Sequence, residues 1–142
     1  MAGKKLACLY CAQLNRVPFD KLEENPKCGS CGKGLMPNKA VDITAAVLDK
    51  ARANDDVPLI VDFWAPWCGP CVAMAPEFNK AAKALAGKAR LVKVNTQTHM
   101  TVSGKLKIKG IPTMIAWRNG REINRHAGAL KMWQIINWVP AA

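Results

Sequence analysis

From residue 38 onward, short apolar runs of strand length alternate with longer stretches in which apolar residues recur every three or four positions. Period and length together predict strands at 40–43, 58–64 and 89–95, interleaved with helices at 44–53, 68–86 and near 100–106. Two strands at 113–117 and 122–126 follow, joined by Asn119-Gly120, a dipeptide suited to the turn of a two-residue hairpin, and a last helix covers 130–139. Helices alternating with strands and then a hairpin predict an α/β domain built on a mixed sheet. Residues 1–37 read differently. They hold few large apolar side chains, at most a strand and a turn in Asn15–Lys21, and a polar stretch at 23–27, so the chain divides into a small module at 1–37 and a larger domain at 38–142. No apolar run approaches the length of a membrane span.

The strand at 58–64 runs directly into Trp67-Cys68-Gly69-Pro70-Cys71. Two cysteines three positions apart at the start of a helix lie on one face, near enough to close a small disulfide ring and to cycle between dithiol and disulfide. Cys68 falls at the helix N-terminus, where unpaired backbone N–H groups favour a thiolate. Cys71, one turn deeper, is the shielded partner. Pro70 loses no hydrogen bond in the first turn and stiffens the bridge, while Gly69 lets another backbone approach. Lowering a thiol from pKa about 8.5 to about 7 raises the thiolate fraction about 15-fold at neutral pH, and reduced nucleophilicity returns about 5-fold of that. A groove that docks the substrate disulfide in line with Cys68 must supply the rest.

Asp62 is an ionisable group inside Leu-Ile-Val-Asp-Phe-Trp, so burial should raise its pKa. A cap or a salt bridge to Lys93 would explain it without chemistry. Pro112, at the first residue of a strand, is tolerated there with or without function. Pro76 should bend the long helix and is structural.

These residues resemble the thioredoxin family. Val-Asp-Phe-Trp-Ala-Pro-Trp-Cys-Gly-Pro-Cys at 61–71, Ala-Pro at 75–76, Val-Lys-Val-Asn at 92–95, Gly-Ile-Pro-Thr at 110–113 and Gly-Ala at 128–129 follow its order and spacing over nearly all of 40–140. The resemblance implies a thioredoxin fold, a central mixed sheet flanked by helices, and a protein-disulfide reductase acting through Cys68 and Cys71. It also implies Asp62 as general acid/base for the buried cysteine, with Lys93 beside it, and a cis Pro112 packed on the active-site disulfide. Trp67, Gly69, Pro70, Ile111, Pro112 and Gly128 become the substrate groove, with the Ile111 backbone bonding extended substrate chain. An oxidase or isomerase would use the same fold and cysteines, but the Gly-Pro bridge resembles the reducing members. The partners implied are disulfide-containing proteins and an NADPH-dependent thioredoxin reductase, and a monomer is expected.

Four further cysteines form two Cys-x-x-Cys pairs, Cys8/Cys11 and Cys28/Cys31, separated by 16 residues. That spacing suits a tetrahedral zinc site, and Gly29 and Gly32 would permit tight knuckle turns around it. Roughly 36 residues bury too little apolar surface to fold without a staple. Iron is the competing metal, since thiolates suit both. Two disulfides are the other alternative, but the opening run through Cys8 has no apolar stretch long enough for a signal peptide, so a reducing, cytoplasmic setting is expected. A thioredoxin domain behind such a zinc ribbon or knuckle resembles the zinc-containing bacterial thioredoxins of the thioredoxin 2 type. A closed four-thiolate site is structural; a regulatory switch that releases zinc under oxidative stress is the alternative.

The net charge of +11 remains after these assignments, or about +9 with Zn²⁺ on four thiolates. A basic zinc-knuckle binding module for nucleic acid is a second class of function, but the charge is spread along both parts and the knuckles carry little aromatic surface for base stacking, so nucleic acid is not expected. Lys105, Lys107 and Lys109 precede the Gly110-Ile-Pro112 loop and would steer acidic partners to the groove. His99 and His126 have no ligand pattern and are assigned no site.

Overall fold

The protein is described by a computed structural model over residues 3–139. Met1 and Ala2 at the start of the expected small module, and residues 140–142 at the end of the larger domain, lie outside the described residues.

The larger part is the expected α/β unit. Strands β3 (Val41–Asp42), β4 (Leu59–Trp64), β5 (Arg90–Asn95), β6 (Thr113–Arg118) and β7 (Arg121–Ala127) form one sheet in the order β3-β5-β4-β6-β7. β3, β5 and β4 run parallel, and β6 and β7 add an antiparallel hairpin. Asn119 and Gly120 both take positive φ at that hairpin, 53° and 80°. This is the geometry that matches the twist of the two strands.

Helices α1 (Ala45–Asn54), α2 (Gly69–Ala84), α3 (Thr101–Lys105) and α4 (Met132–Trp138) flank the sheet. The alternation of strand side chains divides the core. Val61, Phe63, Val92, Val94 and Ile115 pack with Leu48 of α1 and Val102 of α3. Ile60, Leu91, Met114 and Ala116 pack with Met74 and Phe78 of α2 and Ile135 of α4. Thr44 caps α1 by accepting the Val47 N–H at 3.2 Å. The last helix starts two residues later than expected because Lys131 is its N-cap, with extended backbone at φ −86° and ψ 165° and its N–H donating to Gln134 Oε1 at 2.9 Å.

The N-terminal segment holds β1 (Lys4–Ala7) and β2 (Leu14–Val17), an antiparallel pair, and a 3-10 turn at Phe19–Lys21. β1 was not legible as a strand, because both of its faces are covered. Leu6 and Cys8 join a small core with Val17, Cys28, Leu35 and Val57, while Ala7 and Leu9 enter the main core beside α1. The segment therefore docks where β4 and β5 begin. Arg90, fully buried at the start of β5, donates to the Ala7 and Leu35 carbonyls at 2.9 and 3.1 Å and pairs with the Asp55 carboxylate.

Candidate functional site

At the opposite end of β4, the strand runs into the turn that carries the cysteines. Cys68 is the N-cap of α2 and its sulfur accepts the Cys71 N–H at 3.2 Å. Cys68 and Cys71 are joined as a disulfide with Cα atoms 5.2 Å apart. The spacing places both thiols on the first turn, as their sequence interval requires. Cys68 is 5 % exposed and Cys71 2 %, so in the oxidised form the shielding of the two differs little. Pro76 stands inside α2, where it removes one helical N–H.

The residues expected to line a groove come together around this turn. Trp67 is 71 % exposed, and Gly69 and Pro70 are exposed beside it. Cys68 Sγ lies 3.7 Å from the Ile111 carbonyl oxygen. The Ile111-Pro112 bond is cis, and the Pro112 carbonyl accepts the Gly128 N–H at 2.8 Å. Gly128 has φ of 108°, a conformation that favours glycine. A cavity of about 340 Å³ on one flank is lined by Asp42, Trp64, Asn95 and His99; another of about 370 Å³ is lined by Trp67, Thr96, Ile108, Lys109 and Ile111.

The three lysines before this loop do not act as one patch. Lys105 Nζ is 3.0 Å from Asp49 Oδ2 and is drawn toward α1 instead of the groove. Lys109 lines the cavity beside Trp67, and Lys107 lines the neighbouring hollow next to Arg125.

Beneath α2, Asp62 is fully buried and both carboxylate oxygens lack a hydrogen-bond partner among the described residues. Neither a cap nor an ion pair explains it. Burial pushes its carboxyl up to about 7, Lys93 pulls against this, and Asp42 adds to it. Lys93 is opposite Asp62 in the β4–β5 ladder, yet its ammonium rests over the Trp64 ring, 4.3 Å from the centroid, with no carboxylate within 4.0 Å among the described residues.

The four remaining cysteines converge. The sulfurs of Cys8, Cys11, Cys28 and Cys31 all lie within 4.8 Å of one another, with Cys8–Cys31 at 3.5 Å and Cys11–Cys28 at 3.6 Å. A tetrahedron with metal–sulfur bonds of about 2.3 Å has edges of about 3.8 Å, so this donor set fits one metal ion. Two knuckles build it in the same way. The Ala12 N–H donates to Cys8 O and the Gly32 N–H to Cys28 O, with Ala12 and Gly32 both at positive φ, 68° and 77°. Gly29 does not take positive φ, so the expected role in the turn belongs to Gly32, and Ala12 bears the equivalent strain in the first knuckle. Backbone N–H groups of Tyr10 and Cys11 point at Cys8 Sγ, and that of Ser30 at Cys28 Sγ.

The N–H of Cys31 and the side chain of Asn15 draw the Cys28 thiol down to about 6. Cys11 is pushed up to about 12, against the pull of a backbone hydrogen bond from Gln13, by burial and the neighbouring thiols. Adjacent sulfurs that compete for one negative charge are what a divalent cation resolves. Asn15 was not legible as a site residue. It accepts the Gly29 N–H at 2.9 Å while its amide donates to Cys28 Sγ at 3.5 Å, and an asparagine in a polar strand carries no signal of that position.

Comparison with known proteins agrees with this geometry. The family model described as Thioredoxin matches residues 39–141, and a zinc-ribbon model described as Thioredoxin 2, N-terminal matches residues 7–33. Thioredoxin C-3 of Corynebacterium nephridii is 32 % identical over 134 residues, covering 94 % of this chain and 92 % of its own length. Thioredoxin of Haemophilus influenzae is 33 % identical over 102 residues, covering 72 % and 95 %. The crystal structure of chloroplastic thioredoxin z superposes with a TM-score of 0.64 at 33 % identity, over 70 % of this chain and 89 % of that one.

Proposed function

Since the chain belongs to the thioredoxin family, we propose that it reduces protein disulfides in a two-step exchange with Cys68 as nucleophile and Cys71 as resolving thiol. The observation that carries this is the Cys68–Cys71 disulfide at the N-terminus of α2. Thiolate Cys68 attacks one sulfur of a substrate disulfide, forming a mixed disulfide and releasing the other substrate sulfur as a thiolate. Cys71 then gives its proton to Asp62 and attacks Cys68 Sγ. The second substrate thiolate leaves, and the protein is left oxidised. Two electrons return from NADPH through thioredoxin reductase.

Asp62 suits the proton step because its carboxyl titrates near neutrality and its oxygens have no competing donor among the described residues. Lys93, opposite it in the β4–β5 ladder, is the cation whose charge pulls against its raised carboxyl. Trp67, Gly69, Pro70, Ile111, Pro112 and Gly128 form the groove, in which the Ile111 backbone groups bond an extended substrate segment. The exposed indole of Trp67 and the Ile111 carbonyl 3.7 Å from Cys68 Sγ support that reading.

The metal assigned to Cys8, Cys11, Cys28 and Cys31 is zinc, in a module ending near residue 37, with the reductase domain at 38–142. Zinc there ties the two knuckles together and supplies folding energy. Its role is structural. The module docks at the start of β4 and β5, and the active-site turn follows the end of β4, about 16 Å away along a strand of this length. The compartment is the cytoplasm, where zinc thiolates stay reduced.

The exchange cycle is tested by trapping. Cys71→Ser incubated with a disulfide protein should accumulate a mixed disulfide mapped to Cys68. Accumulation on Cys8, Cys11, Cys28 or Cys31 instead would overturn the assignment.

A further inference from the structure

Two carboxylates flank Lys93. In the β3–β5 ladder Asp42 is opposite Lys93, and in the β4–β5 ladder Asp62 is opposite the same lysine. Direct partners in parallel ladders point to the same side of a sheet, so Asp42, Lys93 and Asp62 form one row on the face covered by α2. The two ends of the row differ. Asp62 is fully buried and its oxygens are unpartnered, whereas Asp42 is exposed on the edge strand and lines the cavity of about 340 Å³ that also reaches Trp64. Lys93 between them binds neither acid within 4.0 Å and rests on the Trp64 ring.

We propose that Asp42 is a positioning residue for the reductase reaction, dividing Lys93 between two carboxylates so that Asp62 is left without a permanent counterion beneath the active-site turn. The proposal rests on the reading of Asp62 as general acid/base. A buried carboxylate with a lysine committed to it would be a poor base, because the ion pair would hold it ionised and hold its oxygens away from Cys71. Asp42 opposes that pairing in two ways that carry the same sign. Its charge disfavours ionisation of Asp62, and it faces Lys93 from the side opposite Asp62, so that the ammonium held on the Trp64 ring is not drawn to Asp62 alone.

The other groups near Asp62 do not reproduce this effect. Met114, its partner on β6, carries no charge, and His126, opposite Met114 on β7, stands one strand further out. On α2, Cys71 does not titrate while it is in the disulfide.

Carbon-13 NMR of the Asp62 carboxyl in the oxidised full chain isolates the effect from the thiols. Asp42 and Asp62 are two strand spacings apart, about 10 Å, so Asp42→Asn should lower the Asp62 midpoint by about half a unit to one unit. Asp42→Glu should restore it. The low-pH limb of the disulfide-reduction profile should move to lower pH by the same amount. A midpoint unchanged in Asp42→Asn, with the profile of Asp62→Asn flattened, would overturn the role of Asp42 and leave the acid/base reading intact. A midpoint that shifts while Asp62→Asn keeps the wild-type profile would overturn the acid/base reading, and with it any role for Asp42 in the reaction.

Discussion

Arg90 and Asp55 form an ion pair that is buried where the N-terminal segment meets the sheet. Asp55 also accepts the Ala7 N–H at 3.0 Å, and Arg90 donates to the Ala7 and Leu35 carbonyls, so one pair satisfies backbone groups on both sides of the junction. The neighbouring Asp56 accepts the Lys5 N–H at 2.7 Å. Removing one partner leaves the other charged and buried. Asp55→Ala should therefore destabilise the protein by about 3–5 kcal/mol in urea unfolding, with amide exchange in β1 accelerated first. A loss below 1 kcal/mol would show that the junction does not depend on this pair.

The titration of Asp62 predicts a pH dependence of stability. Its folded carboxyl titrates near 7 against an ordinary value of 3.8, so between these values the folded state binds the extra proton. The stability associated with that proton is complete below about pH 4 and lost as pH rises through 7. With a shift of about 3 units, the stability of Asp62→Asn relative to wild type should improve by up to about 4 kcal/mol between pH 4 and pH 8, read by urea unfolding of the oxidised proteins. A constant difference across that range would contradict the raised carboxyl.

The metal site predicts a local loss on chelation. Treatment with a strong chelator should release one zinc per chain and abolish amide protection in β1 and β2 while β4 to β7 stay protected. The double variant Cys28→Ser, Cys31→Ser should resemble the chelated protein. Iron in elemental analysis of the untreated protein would contradict the metal assignment.

Lys109 and Lys105 should behave differently despite their shared charge. Lys109 lines the hollow beside Trp67, so Lys109→Glu should lower kcat/KM for an acidic disulfide protein about 3- to 10-fold at low salt, with the difference vanishing at high salt. Lys105→Glu should change it little, because Lys105 is engaged with Asp49. Equal effects of the two would contradict the geometry.

The contrast between these lysines marks what the sequence could disclose. The strands at 58–64 and 89–95 were legible because both of their faces are buried and their apolar runs are almost unbroken, and Asn119-Gly120 fixed the hairpin. The Cys-x-x-Cys intervals disclosed all three cysteine pairs, since the interval sets the geometry. β1 was hidden because its pattern, Lys-Lys-Leu-Ala, is completed by partners from two different cores. Asp55 and Arg90 lie 35 positions apart, and nothing local in either residue announces the docking that buries both. The sequence offers Lys93 as a partner for Asp62; the indole of Trp64, two residues along the same strand, takes the lysine instead.

The central claim, a dithiol reductant acting through Cys68, is tested most directly by insulin disulfide reduction with NADPH and thioredoxin reductase, comparing wild type with Cys68→Ser. Wild type should turn over and the variant should lose essentially all activity while keeping its bound metal. Equal activity in the two, or none in either with the metal and fold intact, would contradict the assignment.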